Sequence, residues 1–114
     1  MRFESEVISD EILPAIRKIM AVRLHSDYGL TQREVSQKLG VTQPAVSQYL
    51  KGKRADKEVV KLLKDDPQID VLLEDAVSKA AKNQDFSQEI AQLIKNSRDK
   101  GLFKEKFKDT KRCL

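Results

Sequence analysis

Residues 31–54 read TQREVSQKLGVTQPAVSQYLKGKR, and the Thr-Gln pair that opens the stretch at Thr31 recurs at Thr42. A threonine ahead of a run with apolar residues three and four apart marks a helix start, because its hydroxyl satisfies an amide of the first turn. Thr31 predicts a helix over 32–39 that buries Val35, Ser36 and Leu39. Thr42 predicts a second over 43–51 that turns Val46, Tyr49 and Leu50 inward. Gly40 ends the first and Gly52 follows the second. Pro44 falls in the first turn of the second, where its missing N–H costs nothing. The repeated pair is a repeated helix start.

Two short helices joined by a tight turn containing glycine are what a helix-turn-helix requires. The helices cross steeply, so the contact on the first must be small, and Ser36 is there. The turn needs a residue tolerant of positive φ, and Gly40 is there. A β-branched apolar residue must fill the gap on the second helix, and Val46 is there, with Val35, Leu39, Val41 and Leu50 beside it. In such motifs the second helix enters the major groove of duplex DNA and its N-terminal residues meet base edges. Gln43 carries an amide that can pair with adenine, Gln48 lies on the same outward face, and Pro44 and Ala45 offer apolar contact to a thymine methyl. Gln32, beside the amides of its helix N-terminus, suits a phosphate, as do Arg33, Ser47, Lys51, Lys53 and Arg54.

At these residues the chain resembles the lambda-repressor-like (XRE-type) family, in which a Gln opens the first helix of the motif and often the second. With the preceding LPAIRKIMAVRLHSDYGLTQ, it is further similar to small archaeal predicted transcriptional regulators. The resemblance implies a five-helix DNA-binding domain over about residues 8–65, usually dimeric on DNA.

Working outward, Ser9, Asp10 and Glu11 predict the start of a helix over about 10–27, with Pro14 either near its true start or at a bend. Val59, Leu62 and Leu63 predict a helix over about 56–65. Asp66-Pro67 reads as the cap and first residue of the next, whose stripe Ile69, Leu72, Leu73, Ala76, Val77 and Ala80 runs to about Asn83. Ser87 opens a last helix with Ile90, Leu93 and Ile94, ending near Gly101. The fold class expected is therefore all-α: a helix-turn-helix domain over 1–65, a helical extension over 66–103 and a basic tail over 104–114. The two apolar stripes beyond Asp65 exceed what so small a domain can bury, which predicts that the extension pairs with a second copy to make a homodimer; the alternative is that its two helices fold back as a hairpin on the first helix of the domain and leave a monomer. The tail LFKEKFKDTKRCL alternates Lys with Phe and reads as frayed helix or disorder, free to touch DNA or cover the dimer interface.

Composition narrows the function. The 114 residues carry 35% charged and only 5% aromatic side chains, with a net charge of +4. The basic excess is local: residues 31–55 hold five basic side chains and one acid, while 56–75 hold three and seven. That pattern points to a polyanionic partner at the motif. No run approaches the roughly 20 apolar residues needed to cross a bilayer, and the acidic N-terminus is unlike a signal peptide, so a cytoplasmic protein is expected. His25 and Cys113 are the only residues of their types and lie in separate segments. They offer no zinc site, no disulfide and no acid-base or nucleophilic pair, so neither metal, cofactor nor catalysis is expected. His25 reads as a surface residue and Cys113 as incidental; no effector is indicated. The expected function is a sequence-specific DNA-binding transcriptional regulator, with an architectural DNA-binding protein or a helix-turn-helix interaction adaptor as the alternative.

Overall fold

The computed structural model describes residues 1–111. Its helical chain begins earlier than Ser9: α1 spans Glu4–Val7, a π-helical segment spans Ile8–Ile12, and α2 spans Leu13–Ser26. The start lies at Phe3, whose backbone N–H donates to Glu6 Oε1 at 3.0 Å. Pro14 explains the π segment. It has no N–H to give the Asp10 carbonyl and its ring crowds that oxygen, so the turn widens and Leu13 N–H donates to the Ile8 carbonyl. Ser9, Asp10 and Glu11 therefore sit on a widened turn inside a continuous helix and cap nothing.

The remaining elements fall within a few residues of their expected places: α3 Gln32–Leu39, α4 Gln43–Leu50, α5 Lys57–Asp65, α6 Pro67–Ala81 and α7 Ser87–Asp99. Carboxylate caps fix the starts of α5 and α6, and a carboxylate one residue ahead of the cap position holds the first amide of α7. Asp56 Oδ1 accepts from Glu58 and Val59 N–H, Asp66 Oδ1 from Gln68 and Ile69 N–H, and Asp85 Oδ1 from Ser87 N–H. The fold is all-α apart from a two-residue parallel pairing of β1, Arg2–Phe3, with β2, Thr110–Lys111.

At the centre stands α2, which packs against α3, α4, α5 and α6. Its buried face, Ala15, Ile16, Ile19, Met20, Ala21 and Leu24, belongs to one cluster with Val35, Val46, Tyr49, Val59 and Leu63. The stripe of α6, Ile69, Leu73, Ala76, Val77 and Ala80, is part of that same cluster and at most 2% exposed. The α6 part of the apolar surface assigned to the extension is thus covered within the chain, while Ile90 and Ile94 of α7 stay half-buried. The stripe that suggested a dimer faces α2, and α7 folds back on α6 as the second arm of a hairpin. Polar contacts fix this docking. Arg23 forks onto Asp70 and Glu74 of α6, each at 2.6 Å, and Lys38 of α3 donates to Asn83 at 2.7 Å.

The tail, through Lys111, is also packed rather than frayed. Phe103 is buried, Phe107 half-buried with its ring 6.3 Å from that of Phe103, and Lys106 reaches Glu58 at 2.8 Å. It covers the N-terminal end of the molecule, where Arg2 lies over the Phe107 ring. Cys113 lies outside the described residues.

The caps make the fold acid-sensitive. Asp66 is held below its ordinary 3.8, chiefly by the Lys100 ammonium, and Asp56 likewise, chiefly by the Val59 N–H. A carboxyl with a lowered folded-state pKa contributes stability that is complete above its unfolded value and is lost as pH falls through the folded one. The thermal midpoint should therefore fall progressively as the pH drops below the ordinary Asp value of about 4, where the unfolded chain takes up protons that the folded one resists. Asp66→Asn keeps an acceptor for the two amides but cannot ionise, so its midpoint should start lower at neutral pH and depend less on acid. An unchanged acid profile in Asp66→Asn would show that the Asp66–Lys100 pair does not contribute to it.

Candidate nucleic-acid interface

The two helix starts of the motif are built alike. Thr31 Oγ1 accepts the Glu34 N–H at 3.1 Å, and Thr42 Oγ1 accepts the Ala45 N–H at 3.2 Å. At Thr31 the bond is reciprocal, since Glu34 Oε1 accepts the Thr31 N–H at 3.0 Å, which completes a capping box. That amide, followed by the Thr31 hydroxyl, holds the Glu34 carboxyl below its ordinary value. The box answers a Thr-x-x-Glu pattern that could have been read from the sequence and was overlooked.

Between the helices Gly40 adopts φ 66° and ψ 33°, a left-handed conformation that a side chain disfavours, and Val41 N–H closes the turn onto the Ser36 carbonyl at 3.1 Å. Ser36 is half-buried and its hydroxyl donates to the Arg33 carbonyl at 2.7 Å. Val35 and Val46 are wholly buried, with Leu39, Val41 and Leu50 packed around them. The end of α4 is closed by the same device. Gly52 has φ 71°, its N–H donates to the Tyr49 carbonyl at 3.2 Å, and Lys53 N–H donates to the Gln48 carbonyl at 2.9 Å.

At 100° per residue, positions 43, 44, 47, 48 and 51 form one stripe of α4, and 45, 46 and 49 the opposite one. Gln43, Pro44, Gln48 and Lys51 are exposed and Ser47 half-buried. Ala45, by contrast, is 6% exposed and belongs to the core. Of the two apolar residues expected to meet a thymine methyl, only Pro44 is on the outer face. Arg33 is exposed and Gln32 half-buried at the start of α3, where the first amides of a helix lack intrahelical acceptors and favour an anion.

Lys53 and Arg54 are exposed in the turn after α4. The Arg54 guanidinium lies 5.3 Å from the centre of the Tyr49 ring, while Tyr49 itself is buried and packs rather than stacks. Among the described residues Arg33, Lys51 and Lys53 enter no ion pair, and the single acid of the segment, Glu34, is spent in its capping box. The cations of this face are thus uncompensated, whereas Arg23, Lys79, Arg98, Lys100 and Lys106 elsewhere are matched to carboxylates.

One positioning residue was not anticipated. Lys18 of α2 donates to the Tyr49 carbonyl at 3.0 Å and so ties the C-terminal turn of α4 to the central helix. His25, exposed near the end of α2, places Nδ1 2.7 Å from the Leu30 carbonyl. Among the described residues no three His, Cys, Asp or Glu side chains gather as a metal site would need, and no helix is long and apolar enough to cross a membrane.

A capped helix carried on a glycine turn, with amide side chains outward and unpaired cations at both of its flanks, defines a DNA-binding helix-turn-helix of the transcription-regulator type. Residues 19–65 match the family model described as helix-turn-helix, in keeping with the lambda-repressor-like resemblance of the motif they contain. No curated protein and no solved structure matches the chain.

Proposed function

We propose that the protein is a sequence-specific transcriptional regulator that inserts α4 into the major groove. Gln43, Pro44 and Gln48 meet base edges, and Gln32, Arg33, Ser47, Lys51, Lys53 and Arg54 hold the flanking phosphates. The observation that carries this reading is the division of one small surface into two chemistries. Amide and apolar side chains occupy the outer stripe of α4, and cations without acidic partners lie in the turn beyond it. Amides discriminate bases through paired donor and acceptor, whereas cations bind any phosphate.

Two copies act together on this reading. A single helix with three base-facing residues covers too few base pairs to be selective among genomic sites. Two copies on half-sites about 34 Å apart, one helical turn, cover twice as many and call for an inverted repeat.

A salt-titrated mobility-shift assay on random duplexes, followed by sequence selection and sedimentation on the selected duplex, tests all three elements. Affinity should fall steeply with salt, by close to one unit of log-log slope per neutralised phosphate. The selected sequences should share an inverted repeat carrying two protomers. Equal affinity for every sequence would leave only architectural binding. Absence of binding at low salt would leave an adaptor that uses the motif for protein contact.

A further inference from the structure

At the end of the molecule where the tail meets the N-terminus, a cavity of about 470 Å³ lies between α1, the π segment, α7 and the C-terminal turns. Its walls are mostly apolar: Val7, Ile8, Ile12, Ile94, Phe103 and Phe107. Its polar side chains are Glu4, Ser97, Arg98, Lys104, Lys108 and Thr110; Lys108 is exposed and paired with Glu105, which leaves Arg98 and Lys104 against the single carboxylate of Glu4. Arg98 forms an ion pair with Glu4 through one terminal nitrogen, and its Nε is buried with no hydrogen-bond partner. A buried guanidinium nitrogen left without an acceptor is uncommon and calls for an explanation.

We propose that this cavity binds a small monocarboxylate with an extended apolar body, of the chemical class of a medium-chain fatty acid. The volume is within the roughly 300–1,000 Å³ of small-molecule sites, which bury an apolar body and orient it through a few polar groups. A guanidinium offers five donors in a planar fork that fits a carboxylate, and Glu4 uses only part of it. The incoming carboxylate takes Arg98 from Glu4, with Lys104 nearby, while the chain lies along Val7, Ile12, Ile94 and Phe103. The excess of cations over acids selects an acid over a neutral molecule of the same shape. Ile8 and Ile12 of the π segment, the turn widened by Pro14, line the apolar part of the cavity. None of the lining residues belongs to the DNA-reading motif, so the proposal stands apart from the proposed function.

Isothermal titration of the full chain with decanoate and with decanol tests it. Decanoate should bind saturably, one per chain, and decanol roughly tenfold more weakly, as expected for loss of a charge-assisted hydrogen-bonded pair. Glu4→Gln should tighten decanoate several-fold, because the ligand no longer competes with a resident carboxylate; loss of a merely structural contact would not do this. Ile94→Trp, which fills the apolar end, should abolish uptake of both compounds, and Arg98→Met should reduce decanoate to the level of decanol. Folding of each variant is followed by circular dichroism, and Glu4→Gln and Ile94→Trp decide the matter where Arg98→Met does not fold. The proposal is overturned by no saturable uptake of decanoate by the unaltered protein. It is equally overturned by equal affinity for acid and alcohol, or by affinities unmoved in Glu4→Gln and Ile94→Trp.

Discussion

A chain ending at Asp66 is expected to lose cooperative folding, and with it any affinity for DNA. The helix-turn-helix and the segment beyond it share one core. Ile69, Leu73, Ala76, Val77 and Ala80 of α6 lie against α2, which also supports α3 and α4. Removing α6 opens that side of α2 to water and leaves the half-buried Arg23 without Asp70 and Glu74. Leu73→Ala alone, at a wholly buried position, should cost about 2–5 kcal/mol through lost burial and the cavity left behind. Truncation deletes every side chain of the stripe at once, against a total stability of about 5–15 kcal/mol for a domain of this kind. Urea denaturation followed by far-ultraviolet circular dichroism reads both. The Leu73→Ala midpoint should fall with its slope unchanged, and the truncated chain should show no cooperative transition. A truncated chain that unfolds cooperatively near the full-length midpoint would refute the shared core and support a domain boundary at Asp65.

That dependence on α6 marks where the sequence stops being legible. The motif itself could be read because its signals are local. A capping threonine, a glycine that must take positive φ and a small residue at the crossing act within a few positions of one another, and Gly40 and both threonines behave as read. The stripe of α6 was equally visible as a stripe, but an apolar face looks the same whether a second copy or its own α2 covers it. The docking on α2 is marked by the Arg23 fork, whose partners lie 47 and 51 residues away and leave no local trace. The tail was misread for a similar reason. Lys-Phe alternation resembles a solvated segment until Glu58, from α5, is brought up to Lys106.

The same division runs through the candidate site. Helical periodicity separates the outward residues of α4 from Ala45, Val46 and Tyr49, and the expectation that Ala45 meets a thymine methyl failed because it rested on the small apolar side chain next to Pro44 and not on that period. Lys18 was invisible for want of locality, since its acceptor, the Tyr49 carbonyl, is 31 residues away. The π segment was half legible. A proline too late for a first turn announces a bend, yet the helical turn before it has no strong cap of its own and was not seen.

Gln43→Ala and Lys53→Ala should fail in different ways. Gln43 is exposed at the mouth of α4, held there by the Thr42 cap and the Pro44 that follows it. Its amide can donate and accept together at adenine, so its loss should cost about 1–3 kcal/mol at one position of the operator and relax the preference there. Affinity for unrelated sequences and the salt slope should not change, because no phosphate contact has been removed. Lys53 lies past the Gly52 turn without an acidic partner among the described residues. Its loss should weaken every sequence alike and lower the salt slope by about one. Competition binding of each variant against the selected operator, against operators changed one base pair at a time and against random duplex, over a range of salt, separates the two outcomes. If Gln43→Ala also weakened all sequences and flattened the salt dependence, Gln43 would be holding backbone, and the selectivity would have to come from Pro44 and Gln48.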